Sequence, residues 1–397
     1  MTANGPLHGV RVLDLTAIVA GPVASMMLAD QGADVIKIEP PSGDLARQFG
    51  VKHEGESAFF HSCNRSKRSL CVDLKKHAGV ELVKKLVATA DVLVQNFRPG
   101  AITRMGLGED VVREIKPDII FVSMSGFGDS GPYSHQRVYD PIIQAVSGLA
   151  DIQRDQETGQ PKMIRTVIPD KTTAVTSAQA ITAALFHRER TGEGQHVKLA
   201  MLDVMIGYLW PEGSSSLTFV GHESDPTEGQ LGLDLVFETQ DGHISAAGVS
   251  DAEWKGLCRA FDRSDLLDDP RFASSALRSK NIVIRRAIMA EEIAKWPSSE
   301  ILARLNENDV PSGPILTRTE LLDDPQVVHN EVIVDTPTEN GLVRQPRPAA
   351  RFSASPARIS RVAPRLGAHN DEIAAELGYD EGAIAALRTA GALAGEA

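Results

Sequence analysis

Val10-Arg11-Val12-Leu13-Asp14-Leu15, then Ala20-Gly21-Pro22, a helical run over 23–31 stopped by Gly32, then Val35-Ile36-Lys37-Ile38-Glu39 before Pro40-Pro41, is the stretch that decides the fold. The first six residues alternate as a half-buried strand does, and two prolines end the second strand. Strand, glycine-containing turn, helix, strand is a βαβ unit, which requires parallel pairing and a right-handed crossover. The expected fold class is therefore α/β, with a Rossmann-like large domain built on a mostly parallel sheet. Glu39 ends the second strand where a dinucleotide-binding domain holds a ribose. The turn Thr16-Ala17-Ile18-Val19-Ala20-Gly21, however, has one glycine where the phosphate fingerprint needs three. The shape is expected without nicotinamide or flavin.

Working outward, 44–56 reads as polar loop. Asn64-Arg65-Ser66-Lys67-Arg68-Ser69 then leads into a strand over 70–74 and on to Lys75 and Lys76. Two readings of these cations stay open: a solvated face, or a cradle holding phosphates by charge-assisted hydrogen bonds. An amphipathic helix over 78–90 and a strand over 91–95 follow. That strand ends in Asn96-Phe97-Arg98-Pro99-Gly100, with Arg104-Met105 just beyond. Open α/β sheets bind ligands at the carboxyl ends of their strands, where an aromatic can stack on a purine and arginines can meet phosphates. A further strand over 119–123 opens into the loop Ser125-Gly126-Phe127-Gly128, whose glycines permit close backbone approach. Arg137-Val138-Tyr139-Asp140-Pro141 introduces a helix over 142–149.

Ile168-Pro169-Asp170 precedes a long small-residue helix that runs to His187-Arg188-Glu189-Arg190 and stops at Gly192 and Gly194, before a strand from His196. Asp170 is thereby placed at a loop–helix junction. It is either an N-cap or a carboxylate presented as a nucleophile.

Beyond position 205 the pattern changes. Residues 206–228 read as a linker and 229–330 as a small α+β domain with a hairpin around Asp241-Gly242. Within that domain Leu-Leu-Asp-Asp-Pro occurs at 266–270 and again at 321–325 as a repeated turn. Residues 331–397 read as an extended return path with two short helices, completing the large domain that begins with 1–205.

The 397 residues carry a net charge of -12, which argues against a nucleic-acid-binding surface while leaving room for a local basic pocket. Three cysteines, Cys63, Cys71 and Cys258, without a CxxC pair, make a disulfide framework or a zinc site unexpected. Neither a signal peptide nor a membrane span is recognisable, so a soluble, cytoplasmic protein is the expectation.

Several pieces together resemble the family III CoA-transferases, the formyl-CoA and carnitine CoA-transferase (CaiB/BaiF) type. These are the opening Leu7 to Asp14, Ala20-Gly21-Pro22, Gly32 to Glu39, Asn64 to Leu74, Asn96 to Gly100, Arg188 to Gln195 and the tail Leu366-Gly367-Ala368-His369. The resemblance implies a homodimer of interlocked ring-shaped subunits. It implies no permanently bound cofactor, with acyl-CoA and a small carboxylic acid as substrates. It makes Asp170 the nucleophile, passing through an aspartyl anhydride and an aspartyl-CoA thioester. It also implies that CoA contacts Ile18, Val19, Val72, Lys75, Asn96, Phe97, Arg98, Arg104, Met105, Arg137 and Tyr139. Formyl-CoA transferase carries a glutamine where Val19 stands, and its glycine-rich shielding loop has no counterpart between 229 and 260. Acceptor specificity is expected in the small domain and around His61, Trp210 and Val236.

Two other functions compete. An α-methylacyl-CoA racemase of the same superfamily would need its histidine where Tyr139 stands, and a phenol with a pKa of about 10 is a poor base at neutral pH. A non-catalytic CoA- or nucleotide-binding protein would use Asp170 only as a cap.

Overall fold

The computed structural model describes residues 5–155, 158–224 and 235–395. The chain divides into two compact units, Met1–Glu223 with Glu331–Ala397, and Ser224–Asn330.

The first unit is built on six strands: β1 (Arg11–Asp14), β2 (Asp34–Glu39), β3 (Arg68–Cys71), β4 (Val92–Gln95), β5 (Ile120–Ser125) and β6 (His196–Ala200). They lie in the order β3-β2-β1-β4-β5-β6, every pair parallel, with Val12 opposite both Val35 and Val92. This is the doubly wound order, whose direction reverses between β1 and β4. Near-continuous apolar strands such as Val92-Leu93-Val94 follow from burial on both faces.

On one face lies α1 (Ala20–Asp30) together with the long helix Ile168–Thr191, packed on Val12, Val35, Val94 and Val122. Ala20-Gly21-Pro22 starts α1 rather than breaking the chain before it, because a proline in the first turn has no hydrogen bond to lose. On the other face lies α2 (His77–Val87), with Leu82, Val83, Leu86 and Val87 fully buried against Leu13, Leu93 and Phe121. Each such side chain contributes about 2 kcal/mol by leaving water.

The C-terminal helices Asn370–Glu376 and Glu381–Thr389 finish this second face with Ile373, Ala374, Ile384 and Leu387. The buried Asn370 side chain accepts from the Cys71 N–H at 2.8 Å and donates to the Ala394 carbonyl at 2.7 Å. Leu393 bridges to Val72. The extended return path begins with a hairpin, Ile333–Thr338 against Gly341–Pro346.

Both readings of the 64–69 cations are corrected. Arg65, Lys67 and Arg68 are buried, and each meets a carboxylate from the βαβ unit: Asp30 at 2.8 Å, Asp14 at 2.8 Å and Asp34 at 2.6 Å. They are neither a solvated face nor a phosphate cradle. Glu39 is likewise buried and occupied by Arg47, Ser69 and the Asp44 N–H, so it is not free for a ribose. The segment read as loop over 44–56 contains a helical turn, Leu45–Gln48, and the strand Lys52–His53, which pairs with Glu56–Ser57.

The second unit carries an antiparallel sheet of Val236–Glu238, His243–Ala246 and Ser312–Pro314, with the expected hairpin pairing Glu238 to His243. Helices Asp251–Ala260, Ile282–Ile293 and Ser298–Glu307 cover it around Phe237, Ile244, Trp254, Leu257 and Ile301. In both Leu-Leu-Asp-Asp-Pro copies the two leucines end a 3-10 turn, Ser264–Leu267 and Glu320–Leu322, and in the second the proline opens the helix Pro325–His329. Of the stretch read as linker, 206–209 belong to the helix Met201–Leu209, and 225–228 lie outside the described residues. So do 229–234, the start of the stretch that has no counterpart of the glycine-rich loop. Among the described residues, no helix is long and apolar enough to cross a membrane.

Candidate active site

The loop after β1 is held from below by buried charge. Asp14 accepts from Ser25 at 2.6 Å, from Lys67 at 2.8 Å and from the Thr16 N–H at 2.9 Å. Burial alone would raise the Asp14 carboxyl, but the ammonium groups of Lys67 and Lys37 outweigh it and hold the group well below the ordinary range. Burial pulls Lys67 down to about 8 against the attraction of Asp14. Lys37 donates to the Thr16 carbonyl at 2.9 Å and pairs with Asp44 at 2.9 Å. Asp44 in turn accepts the Ile18 N–H at 3.1 Å. From β4, the Asn96 amide grips Ala17 on both sides, accepting its N–H and donating to its carbonyl, each at 2.9 Å. Between these clamps Ile18 sits at φ 74, a left-handed conformation that costs a β-branched residue of order 1–3 kcal/mol.

Above this loop a cavity of about 660 Å³ opens at the carboxyl ends of β1, β4 and β5, where the strand order reverses. Ile18, Val19, Asn96, Phe97, Arg98, Arg104, Arg137, Tyr139 and Asp170 all line it, so most of the expected contacts converge on one space. Asn96 meets the cavity with its side chain already committed to Ala17, as a positioner of the loop. Arg98, Arg104 and Arg137 are exposed there, and none has a carboxylate partner among the described residues. Three guanidinium groups without a carboxylate partner around one cavity, in a chain of net charge -12, give that space a local positive charge able to meet an anion. Gly126 lets the loop after β5 close on this space, since a Cβ there would lie 2.0 Å from the Val138 side chain.

Asp170 stands inside the helix Ile168–Thr191, as its third residue. The N-cap position belongs to Val167, which makes no side-chain cap, so the reading of Asp170 as the cap is corrected. Asp140 does the capping from a distance: its Oδ2 accepts the Asp170 N–H at 3.1 Å. Its Oδ1 accepts from Gln144 at 2.7 Å, and Gln144 Oε1 accepts the Ile164 N–H at 3.0 Å, pinning the approach to the helix. The half-buried Asp170 carboxylate accepts no hydrogen bond from any described residue and faces the cavity. Burial, and then the neighbouring Asp140 carboxyl, raise its pKa to about 7. Burial raises Asp140 as well, against the hydrogen bonds from Gln144 and the Asp170 N–H.

Val72, Lys75 and Met105 stand outside the cavity lining. Val72 is fully buried in the core, Lys75 is exposed, and Met105 follows the short helix Ala101–Arg104. His61 is also outside it, hydrogen-bonded to Glu56 at 3.0 Å, as is Trp210, while Val236 belongs to the second unit. The sequence reading missed the roles of Asp140 and Gln144 and the lining segment Ser134-His135-Gln136. The Asp-Pro pair at 140–141 signalled a helix start, but its hydrogen bond to another helix had no local sign. Among the described residues there is no cluster of histidine, cysteine or acidic side chains able to hold a metal.

Comparison with known proteins gives the family. Residues 7–370 match the model of CoA-transferase family III. The chain is 36% identical over 386 residues to a succinate–glutarate CoA-transferase of Agrobacterium fabrum, covering 94% of this chain and 96% of that one. It is 32% identical to a formyl-CoA:oxalate CoA-transferase of Streptomyces avermitilis, covering 98% and 99%. Among solved structures, a CaiB/BaiF family protein from Brucella suis superposes with a TM-score of 0.82 at 34% identity, over 94% of this chain and 100% of that one. The chain belongs to CoA-transferase family III and is an enzyme of that class.

Proposed function

We propose that this family III enzyme moves CoA from an acyl-CoA donor to a carboxylic acid through covalent intermediates on Asp170. The observation that carries the reading is the meeting, in one cavity, of an unbonded carboxylate and three unpaired arginines. The arginines hold the nucleotide phosphates, Phe97 lies against the base, and the thioester reaches Asp170.

The Asp170 carboxylate attacks the thioester carbonyl and the C–S bond breaks, leaving an aspartyl anhydride and CoA thiolate. The thiolate attacks the aspartyl carbonyl, releases the donor acid as its carboxylate and forms an aspartyl-CoA thioester. The acceptor carboxylate attacks this thioester, giving a second anhydride and thiolate. The thiolate then takes the acceptor acyl group and frees Asp170. Acylation neutralises a carboxylate that its half-buried site disfavours as an anion, so the environment that raises the Asp170 pKa also favours the covalent states. Succinyl-CoA is the first donor to try, since the Agrobacterium relative is named for succinate and glutarate. A cytoplasmic homodimer of interlocked subunits completes the reading.

The test is intact-protein mass spectrometry after brief exposure to succinyl-CoA and other acyl-CoAs. A CoA-sized gain removed by hydroxylamine and absent in Asp170→Ala is the expected result. CoA binding without any adduct, accompanied by exchange of the α-proton in deuterated water, would replace transferase with racemase. Binding with neither would leave a non-catalytic binder.

A further inference from the structure

A continuous line of hydrogen bonds runs beneath the cavity, from the protein surface to the backbone of Phe97. Glu109 Oε2 meets His196 Nδ1 at 2.6 Å, and His196 Nε2 meets Ser123 Oγ at 2.9 Å. Gln95 Nε2 donates to the same Ser123 oxygen at 2.8 Å, and Gln95 Oε1 accepts the Phe97 N–H at 2.8 Å. Gln95 and Ser123 are buried, and the His196 ring stands edge-on to Phe121 with centroids 5.0 Å apart. The acid, histidine and serine have the order of a hydrolytic triad. The Ser123 hydroxyl, however, is buried in the sheet and already accepts from Gln95, so it presents no nucleophile.

The direction is fixed at the Phe97 end. Phe97 can only donate, which sets the Gln95 amide so that its Nε2 donates to Ser123. The Ser123 oxygen thereby joins Gln95 to His196 Nε2, and the other ring nitrogen meets the Glu109 carboxylate. Gln95, Ser123 and His196 each bridge two neighbours, and Glu109 also pairs with Arg113 at 3.5 Å, so the line is tied at both ends.

We infer that His196 is a positioning residue: through Ser123 and Gln95 it fixes the backbone at Phe97, and with it the Phe97–Arg98 face on which the nucleotide end of acyl-CoA rests. The inference rests on the CoA reading for its ligand but not for its geometry, so two readouts separate them. His196→Phe keeps a ring against Phe121 and removes both hydrogen bonds. Amide exchange at Phe97 should quicken and the KM for acyl-CoA should rise, each about 3–10-fold, the worth of one internal hydrogen bond. The kcat should stay within about two-fold, because no reacting atom is touched. His196→Gln keeps a polar side chain between Ser123 and Glu109, and should restore both values.

Unchanged exchange and KM in a folded His196→Phe would overturn the inference, as would a fall in kcat at constant KM or a failure of His196→Gln to rescue. Should His196→Phe not fold, Ser123→Ala is read by the same two measurements. Faster Phe97 exchange in a protein that binds no CoA would uphold the positioning line and overturn the CoA reading instead.

Discussion

The Asp170 N–H donates to Oδ2 of Asp140 at 3.1 Å, so the carboxyl that anchors the helix start also sets a second acidic group beside the Asp170 carboxyl. Anchoring and repulsion come from one residue. Its first effect fixes where the Asp170 carboxylate points, and its second acts on when that carboxylate is charged.

In the proposed mechanism only ionised Asp170 can attack a thioester, so the rate of adduct formation should rise with pH around a midpoint near 7. Asp140→Asn keeps an acceptor for the Asp170 N–H but loses the charge, and should move that midpoint downward. Single-turnover adduct formation across pH 5–9 measures it, and an unmoved midpoint would leave burial as the sole cause.

The same shift predicts a stability effect of opposite sense. A carboxyl whose pKa is raised in the folded state binds more protons there than in the unfolded chain, so its contribution falls as pH rises from about 4 to about 7. Asp170→Asn should therefore raise Tm at pH 8 and leave it nearly unchanged at pH 4, while abolishing transfer. Thermal melts at the two pH values test this.

Arg98→Gln, Arg104→Gln and Arg137→Gln should each weaken CoA binding by about ten-fold or more, the worth of a charge-assisted hydrogen bond. The losses should shrink as salt is added. Calorimetric titration at two ionic strengths checks both statements, and an arginine whose removal changes nothing does not touch phosphate.

Lys67→Met should destabilise the fold by about 3–5 kcal/mol, because it strands the buried Asp14 carboxylate. Asp14→Asn in the same chain should recover part of that loss. Denaturant melts of the single and double variants decide it.

Ile18→Gly removes a β-branched side chain from a left-handed backbone. Tm should hold or rise by a few degrees, while the KM for acyl-CoA rises as the loop loosens. A clear drop in Tm would mean that the Ile18 side chain contributes more than its strained backbone costs.

The parallel sheet was legible because its strands alternate or run apolar between glycine and proline stops, and chain order alone gives β1-α1-β2. The convergence of Phe97, Arg98 and Arg104 was legible for the same reason: they follow directly on a strand end. Asp140 was not, since its partner lies 30 residues away on another helix. The cations at 64–69 misled for a related reason. Asp14, Asp30 and Asp34 neutralise them across the sheet, and a local charge run carries no sign of distant carboxylates. The left-handed Ile18 had no sign either, since isoleucine is the wrong residue for that conformation and only surrounding clamps hold it there.

The seam between Val72 and Leu393, with Asn370 joining Cys71 to Ala394, also bears on how the protein is made. The β3 edge of one face of the first sheet stays uncovered until residues 370–394 have left the ribosome, while the unit Ser224–Asn330 emerges earlier and holds its own core. During synthesis the inserted unit can therefore be finished first and the first unit last, with apolar Leu70 awaiting its cover. A premature stop near position 365 should therefore leave that apolar edge bare and yield an aggregating fragment rather than a weakened enzyme.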